Sequence, residues 1–188
     1  GESEIQTKLH ADELWIAASV DGAPVLPDGL IKHGTDERTW GRWAFKKPPT
    51  SIRMLPLLPD RSVVATPETP FNLAIKAQAR IYVRVPVWTQ IEIAKRSSEP
   101  LLEVPSEQLS NTWFGSFTEG ELCYWLPTNA ARALDASETH PNLITCPIQI
   151  TNRSDDELLV EKIRVQVRNL SVFSSEGSLW TDETRVTY

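Results

Sequence analysis

Between Phe71 and Val87, apolar and polar residues alternate with hardly a slip. Phe71, Leu73, Ile75, Ala77, Ala79, Ile81, Val83, Val85 and Val87 share one parity, while Asn72, Lys76, Gln78, Arg80, Tyr82 and Arg84 share the other. Successive side chains of an extended strand point to opposite faces, so a period of two buries the first set and leaves the second in water. A helix would scatter both sets around its circumference. The run exceeds an ordinary strand of about 5–6 residues, which predicts a break or bend near Ala77–Ala79. Pro86 offers no ladder donor and therefore belongs at an edge or a bulge.

The same period recurs along the chain. Leu14, Ile16, Ala18 and Val20 alternate with Trp15, Ala17 and Ser19 before Asp21-Gly22 turns the chain. Trp40–Phe45, Ile52 with Met54, Ser62–Ala65, Cys146–Thr151, Leu179-Trp180 and Val186–Tyr188 read as further short strands. Ser110–Leu126 holds Trp113, Phe114, Phe117, Tyr124 and Trp125, punctuated by Gly115 and Gly120. This predicts a half-buried hairpin turning at Thr118-Glu119-Gly120, with aromatic residues packed across its arms. Ile163, Val165 and Val167 share one parity and Leu170 and Val172 the other, which predicts a bulge near Arg168-Asn169. A short helix near residues 128–136 is the one expected helix, with Thr128 as N-cap and an alanine-rich body through Leu134. With 14 prolines punctuating these segments, the predicted fold is an all-β, antiparallel β-sandwich, immunoglobulin-like or jelly-roll-like. Residues 1–188 form either one all-β unit or two β subdomains, 1–95 and 109–188, joined by the Ser- and Pro-bearing connection 96–108.

Charge and cysteine content narrow the partners. The net charge of −6 argues against nucleic acid, whose binding depends on neutralising phosphates. The first 96 residues carry 13 cations against 11 carboxylates and the remainder 6 against 14, so the acidity lies in the second half. Cys123 and Cys146 lack metal-site or redox-motif spacing and read as buried thiols of a reducing compartment, with one disulfide as the alternative. The opening GESEIQTKLHADEL has no apolar signal region, and no run approaches the ~18 apolar residues of a spanning helix. A cytoplasmic protein without a transmembrane segment is expected.

Motifs that would carry chemistry are weak. His10, His33 and His140 stand far apart without ligand-spaced neighbours, so no metal or cofactor is assigned. Asp135, Ser137, Glu138 and His140 crowd one loop, whereas the members of a catalytic triad normally converge from separate elements. Asp155-Asp156-Glu157 lacks the glycine and terminal glutamate of a calcium loop and reads as part of an Asn152–Asp156 turn. Glycine-rich phosphate cradles are missing from the sequence. An enzyme is not expected.

Tryptophan is the over-represented residue, with seven in the chain. Trp15, Trp88 and Trp125 fall out of phase with the aliphatic residues of their own strands, so each meets a second layer or reaches solvent. The polar face of the long alternating run adds a basic stripe, which suits either an acidic partner or a solvated face that keeps an edge from aggregating. The candidate interaction surface therefore comprises Trp40, Arg42, Trp43, Arg80, Arg84, Trp113 and Trp125.

Four strings, SNTWFG (Ser110–Gly115), GELCY (Gly120–Tyr124), CPIQITN (Cys146–Asn152) and LWTDE (Leu179–Glu183), resemble in that order the uncharacterised prokaryotic family DUF432. IYVRVPVW (Ile81–Trp88) adds looser similarity. The resemblance implies a cytoplasmic accessory protein whose genes lie near those of small mechanosensitive channels, and it transfers no functional residues. Two expectations follow. One is a non-enzymatic β-sandwich binding a protein partner, associated with such a channel. The other is a carbohydrate- or small-ligand-binding module that stacks its ligand on Trp40, Trp43 or Trp125.

Overall fold

The computed structural model describes residues 2–25, 39–94, 100–134 and 142–188, with backbone alone along 127–129. The chain folds into two compact units, each made of two segments: Gly1–Leu57 with Trp88–Gln108, and Leu58–Val87 with Leu109–Tyr188. Neither unit is continuous in sequence, unlike a division at 96–108. Strands are numbered in chain order through both units.

The first unit pairs β1 (Ser3–His10), β2 (Glu13–Val20), β3 (Ala23–Val25) and β4 (Gly41–Ala44) in one sheet. A second sheet orders β10 (Leu102–Pro105), β9 (Trp88–Ile93) and β5 (Ile52–Leu57). β1 runs the full length of one edge of β2, while β4 and β3 divide the other, along Glu13–Ile16 and Ala18–Val20. Leu14, Ile16, Ala18 and Val20 meet Ile91, Leu102 and Val104 of the facing sheet in one buried cluster. The predicted inward parity of β2 is thus the core of a small sandwich.

In the second unit, one sheet orders β11 (Ser110–Phe114), β12 (Glu121–Ala130), β6 (Val63–Pro67) and β15 (Ile163–Val165). The other is centred on β13 (Leu143–Thr151), which pairs with β8 (Gln78–Pro86) through nine registered positions. The opposite edge of β13 is shared by β17 (Ser178–Thr181) and β18 (Thr184–Thr187), with β16 (Val172–Ser175) beyond β17. A small pair joins β7 (Phe71–Leu73) to β14 (Leu158–Val160). Ala79, Ile81, Val83 and Val85 of β8 and Ile144, Cys146, Ile148 and Ile150 of β13 lie buried in one core with Val63, Ala65, Leu126, Ile163 and Val165. The sheets are mostly antiparallel; β12 with β6, and β13 with both β17 and β18, pair in parallel.

The long alternating run breaks between Leu73 and Gln78, where Ala77 N donates to Ala74 O and Lys76 adopts φ +58°. Ile75 keeps the inward parity yet is exposed, because the turn removes it from the sheet. Asn152, wholly buried, ties this break to the turn after β13. Its Nδ2 donates to Leu73 O, Ala74 O and Asp156 O, and its Oδ1 accepts from the backbone and hydroxyl of Ser154. The parity change after Val167 occurs in a single 3₁₀ turn, Val167–Asn169, which replaces the expected bulge.

The helix expected near residues 128–136 does not form over 128–134, and 135–136 lie outside the described residues. β12 instead continues to Ala130, pairing Asn129 with Thr66 and Ala130 with Pro67. Ala131 then exchanges two backbone hydrogen bonds with Tyr82, at 2.8 and 3.1 Å. A helix of barely two turns has little intrinsic stability, so pairing along a neighbouring strand overrides its propensity. Cys123 and Cys146 are both free and buried.

Asn152→Ala orphans buried carbonyl and amide groups together and should cost roughly 2–4 kcal/mol in urea denaturation, without loss of the native spectrum at low urea. Burial, the largest cause for each, pushes the Cys123 and Cys146 thiols up to about 11. Between their ordinary value of 9.0 and that figure, the unfolded chain sheds protons that the folded chain keeps. Stability should therefore be insensitive to these thiols below pH 9.0 and fall as pH rises towards 11, with a shallower fall in Cys146→Val. At neutral pH both thiols should resist Ellman's reagent until the protein is unfolded.

Candidate functional site

The candidate residues of the first unit serve its own sheet. Trp15 points outward from β2, flanked in register by Lys8 of β1 and Arg42 of β4. Arg42 Cζ lies 4.4 Å and Lys8 Nζ 5.6 Å from the indole centroid. His10 stacks at 6.1 Å and Trp40 tilts against the same ring at 6.3 Å. Glu13 Oε2 accepts from Trp15 Nε1 at 2.9 Å and from Arg42 Nη2 at 2.6 Å. The Arg42 hydrogen bond, followed by that of Trp15, holds the Glu13 carboxyl below its ordinary value. Trp43 lies on the other face, packed against the core of this unit. Its indole covers Gly41, where a Cβ would come within 2.6 Å of the ring. Trp40, Arg42 and Trp43 are thus engaged within the sandwich.

The basic stripe of β8 is partly neutralised. Arg80 pairs with Glu183, which also accepts from Arg185 Nε at 3.0 Å. Arg185 foremost, then Arg80, keeps the Glu183 carboxyl low. Gln149 donates to Gln78 across the strand pair, and Arg84 sits half-buried opposite Thr145. Lys76 is held by Asp155 at 3.0 Å and by the carbonyl of Arg153.

A more open surface occurs elsewhere in the second unit. β15 is bonded only to β6, and β18 only to β13, among the described residues. Between these two sheet edges lies a concavity of about 590 Å³. Phe114, Ile150, Leu159, Ile163, Val186 and Tyr188 supply its apolar lining, and Lys162, Arg164 and Arg185 its charge. Val186 stands beside Ile150 on the inner face of its sheet, but Val186 is 39% exposed and Ile150 5%. Tyr188, of the same parity, is 66% exposed, and Leu159 of β14 is 52% exposed. The inner face of this sheet is therefore uncovered along β18.

A smaller concavity of about 260 Å³ shares Phe114 and Lys162 and is bordered by Trp113 and Trp125. Trp125 stands outward from β12 between Ser110 of β11 and Val64 of β6, with 44% of its surface in solvent. Trp113 is committed to the hairpin: its Nε1 donates to Ser116 O, and its indole rests against Gly120, where a Cβ would also come within 2.6 Å of Ser116 O. Among the described residues no Asp or Glu lines either concavity. Arg164 reaches Glu121 at 3.1 Å and approaches the Phe114 ring at 5.7 Å. The Ser62 hydroxyl foremost, then the Cys123 thiol and Arg164, lowers the Glu121 carboxyl. Lys162 is exposed and has no ion partner among the described residues.

Within the second unit the fold gathers Trp113 and Trp125 at one concavity that neither Arg80 nor Arg84 lines, while Trp40, Arg42 and Trp43 belong to the first unit. Phe114, Leu159, Lys162, Arg164, Arg185, Val186 and Tyr188 were not part of the candidate interaction surface read from the sequence. One signal was available: Leu158-Leu159-Val160 places three apolar residues in succession on a strand, so at least one must face outward. Among the described residues no group of three or more His, Cys, Asp or Glu side chains converges as a metal site. His33, Asp135, Ser137, Glu138 and His140 lie outside the described residues. No described helix is long and apolar enough to cross a membrane.

These placements separate the tryptophans energetically. Trp43→Ala should cost roughly 3 kcal/mol, the lower end for a packed indole, whereas Trp125→Ala should stay within about 0.5 kcal/mol of the wild type by urea denaturation.

No curated protein and no solved structure matches the chain. A family match extends over residues 1–188, beyond the second-half strings that carry the resemblance. The chain belongs to DUF432, a family described as protein of unknown function.

Proposed function

We propose that this protein is a non-catalytic interaction module whose second unit binds a protein partner in the groove between β15 and β18. The observation that carries the reading is the exposure of Val186 and Tyr188 on an inner sheet face, next to exposed Leu159, at the mouth of a concavity of about 590 Å³. Residues of inner parity are ordinarily sealed by the facing sheet, and a contiguous apolar opening rimmed by charge is a hallmark of a protein-binding surface. A cytoplasmic setting belongs to the same proposal and is supported by two buried, unbonded thiols. The resemblance to the family makes a small mechanosensitive channel the partner to test first.

The test uses a photo-crosslinking residue at Leu159, with Phe173 of β16 as an exposed control outside the groove. On co-expression with the channel, a discrete adduct should form from position 159 and not from 173, and Val186→Asp should abolish it. Equal adducts from both positions, or none from 159, would remove the groove from the proposal.

A glycan-binding reading keeps one supporting feature, the exposed indole of Trp125 beside Phe114. Trp40 and Trp43 do not join it, since both pack within the first unit. If Trp125 stacks a sugar, a glycan panel should quench its fluorescence and Trp125→Ala should remove the response. An unchanged spectrum across the panel retires this alternative.

A further inference from the structure

We infer, on the basis of that docking reading, that the occupant of the groove is an extended, acidic segment of the partner that adds as a strand to the outer edge of β18. Its apolar side chains enter the concavity, and its carboxylates meet the cations at the rim, Lys162 foremost.

Backbone geometry comes first. β18 is hydrogen-bonded to Ile148–Thr151 along one edge, and its other edge is unpaired among the described residues. β15, on the far side of the groove, is likewise bonded only to β6. Open edges are normally blunted by shortness, charge, proline or a bulge; β18 is four residues long and carries Arg185, but holds neither proline nor a bulge. Added strands satisfy such an edge through main-chain hydrogen bonds, while alternate side chains of the added segment fill pockets. A segment of about five residues, spanning roughly 17 Å, would cover Thr184–Tyr188. The core residues Ile150 and Ile163, from the two facing sheets, line the floor that such a strand would seal.

Charge chooses between occupants. Among the described residues the lining holds three cations and no Asp or Glu, although the chain as a whole is acidic at −6. At physiological salt the Debye length is about 8 Å, so distant carboxylates are screened while contacts at the groove are not. Arg164 and Arg185 each already touch a carboxylate outside the lining, leaving Lys162 as the cation of the lining without an ion partner among the described residues. A second copy offering the same edge would set Lys162, Arg164 and Arg185 against their own equivalents, which disfavours an isologous pair.

The inference is tested on the full chain with a fluorescein-labelled peptide of alternating valine and glutamate, read by anisotropy. The peptide should bind, and its dissociation constant should rise at least tenfold when alternate amides are N-methylated, when lysine replaces glutamate, or when the protein carries Lys162→Glu. A urea midpoint for K162E equal to that of wild type excludes misfolding, and the two modified peptides read the same question without any variant. Equal affinity of the N-methylated peptide would overturn strand addition, and equal affinity of the lysine peptide would overturn charge selection. Concentration-dependent dimerisation abolished by Val186→Asp would assign the edge to a second copy and overturn the inference. Absence of peptide binding with retention of the position-159 adduct would overturn strand addition while leaving the docking groove intact.

Discussion

β13 has only two edges, and the second unit is organised by how they are used. One edge is filled along its whole length by β8, through the nine registered positions from Leu143 opposite Pro86 to Thr151 opposite Gln78. The other is divided, with β17 beside Ile144-Thr145 and β18 beside Ile148–Thr151. Burial follows the pairing, because the eight inward side chains of β8 and β13 form the centre of one core. The six Ile and Val side chains among them are each worth roughly 1.5–3 kcal/mol relative to exposure, so this pair anchors what surrounds it. Dividing the far edge also has a structural cost, since β16 covers β17 whereas no described strand covers β18. The open groove is thus a consequence of the central pairing.

The aromatic residues divide into two kinds of work. Trp15 is a cross-strand hub, held by cations from both neighbouring strands and by a carboxylate that bridges indole and guanidinium. Trp43 and Trp113 each rest on a glycine, Gly41 and Gly120, whose missing Cβ permits the close approach. These rings reinforce their own sheets, and their solvent-exposed atoms are incidental to that role. Trp125 differs because it is 44% exposed and borders the smaller concavity beside Phe114 and Lys162. Richness in tryptophan thus largely reflects packing within the sheets, while the aliphatic residues Leu159 and Val186 stand exposed in the second unit.

Much of the architecture was legible in the sequence. Inward parity on β2, β8 and β13 follows from alternation alone, and the hairpin around Gly115–Gly120 follows from its turn residues, although its aromatic residues stand opposite Leu122, Glu121, Asn111 and Ser110 rather than one another. Asn152–Asp156 showed its turn chemistry, although the side-chain network that makes Asn152 a buried hub depends on Leu73 and Ala74, far away along the chain. The segment from Thr128 misled because local propensity favours a short helix, while Thr66, Pro67 and Tyr82 offered strand partners that no local window contains. The candidate site was read less well. Arg80 and Arg84 were correctly placed on a polar face, but the carboxylate of Glu183, about a hundred residues from Arg80, neutralises part of that stripe.

What the sequence determined by itself was the strand character of the chain and which side of each strand faces the core, because a period of two is a property of adjacent residues. Tertiary structure alone decided which strands became neighbours, which pairings ran parallel, and which edges stayed open. An open edge is the absence of a neighbour, and neighbours separated by many residues leave no trace in local alternation. Val186 and Tyr188 carry the inward parity of a closing strand; only the assembled sheets show that nothing among the described residues covers them.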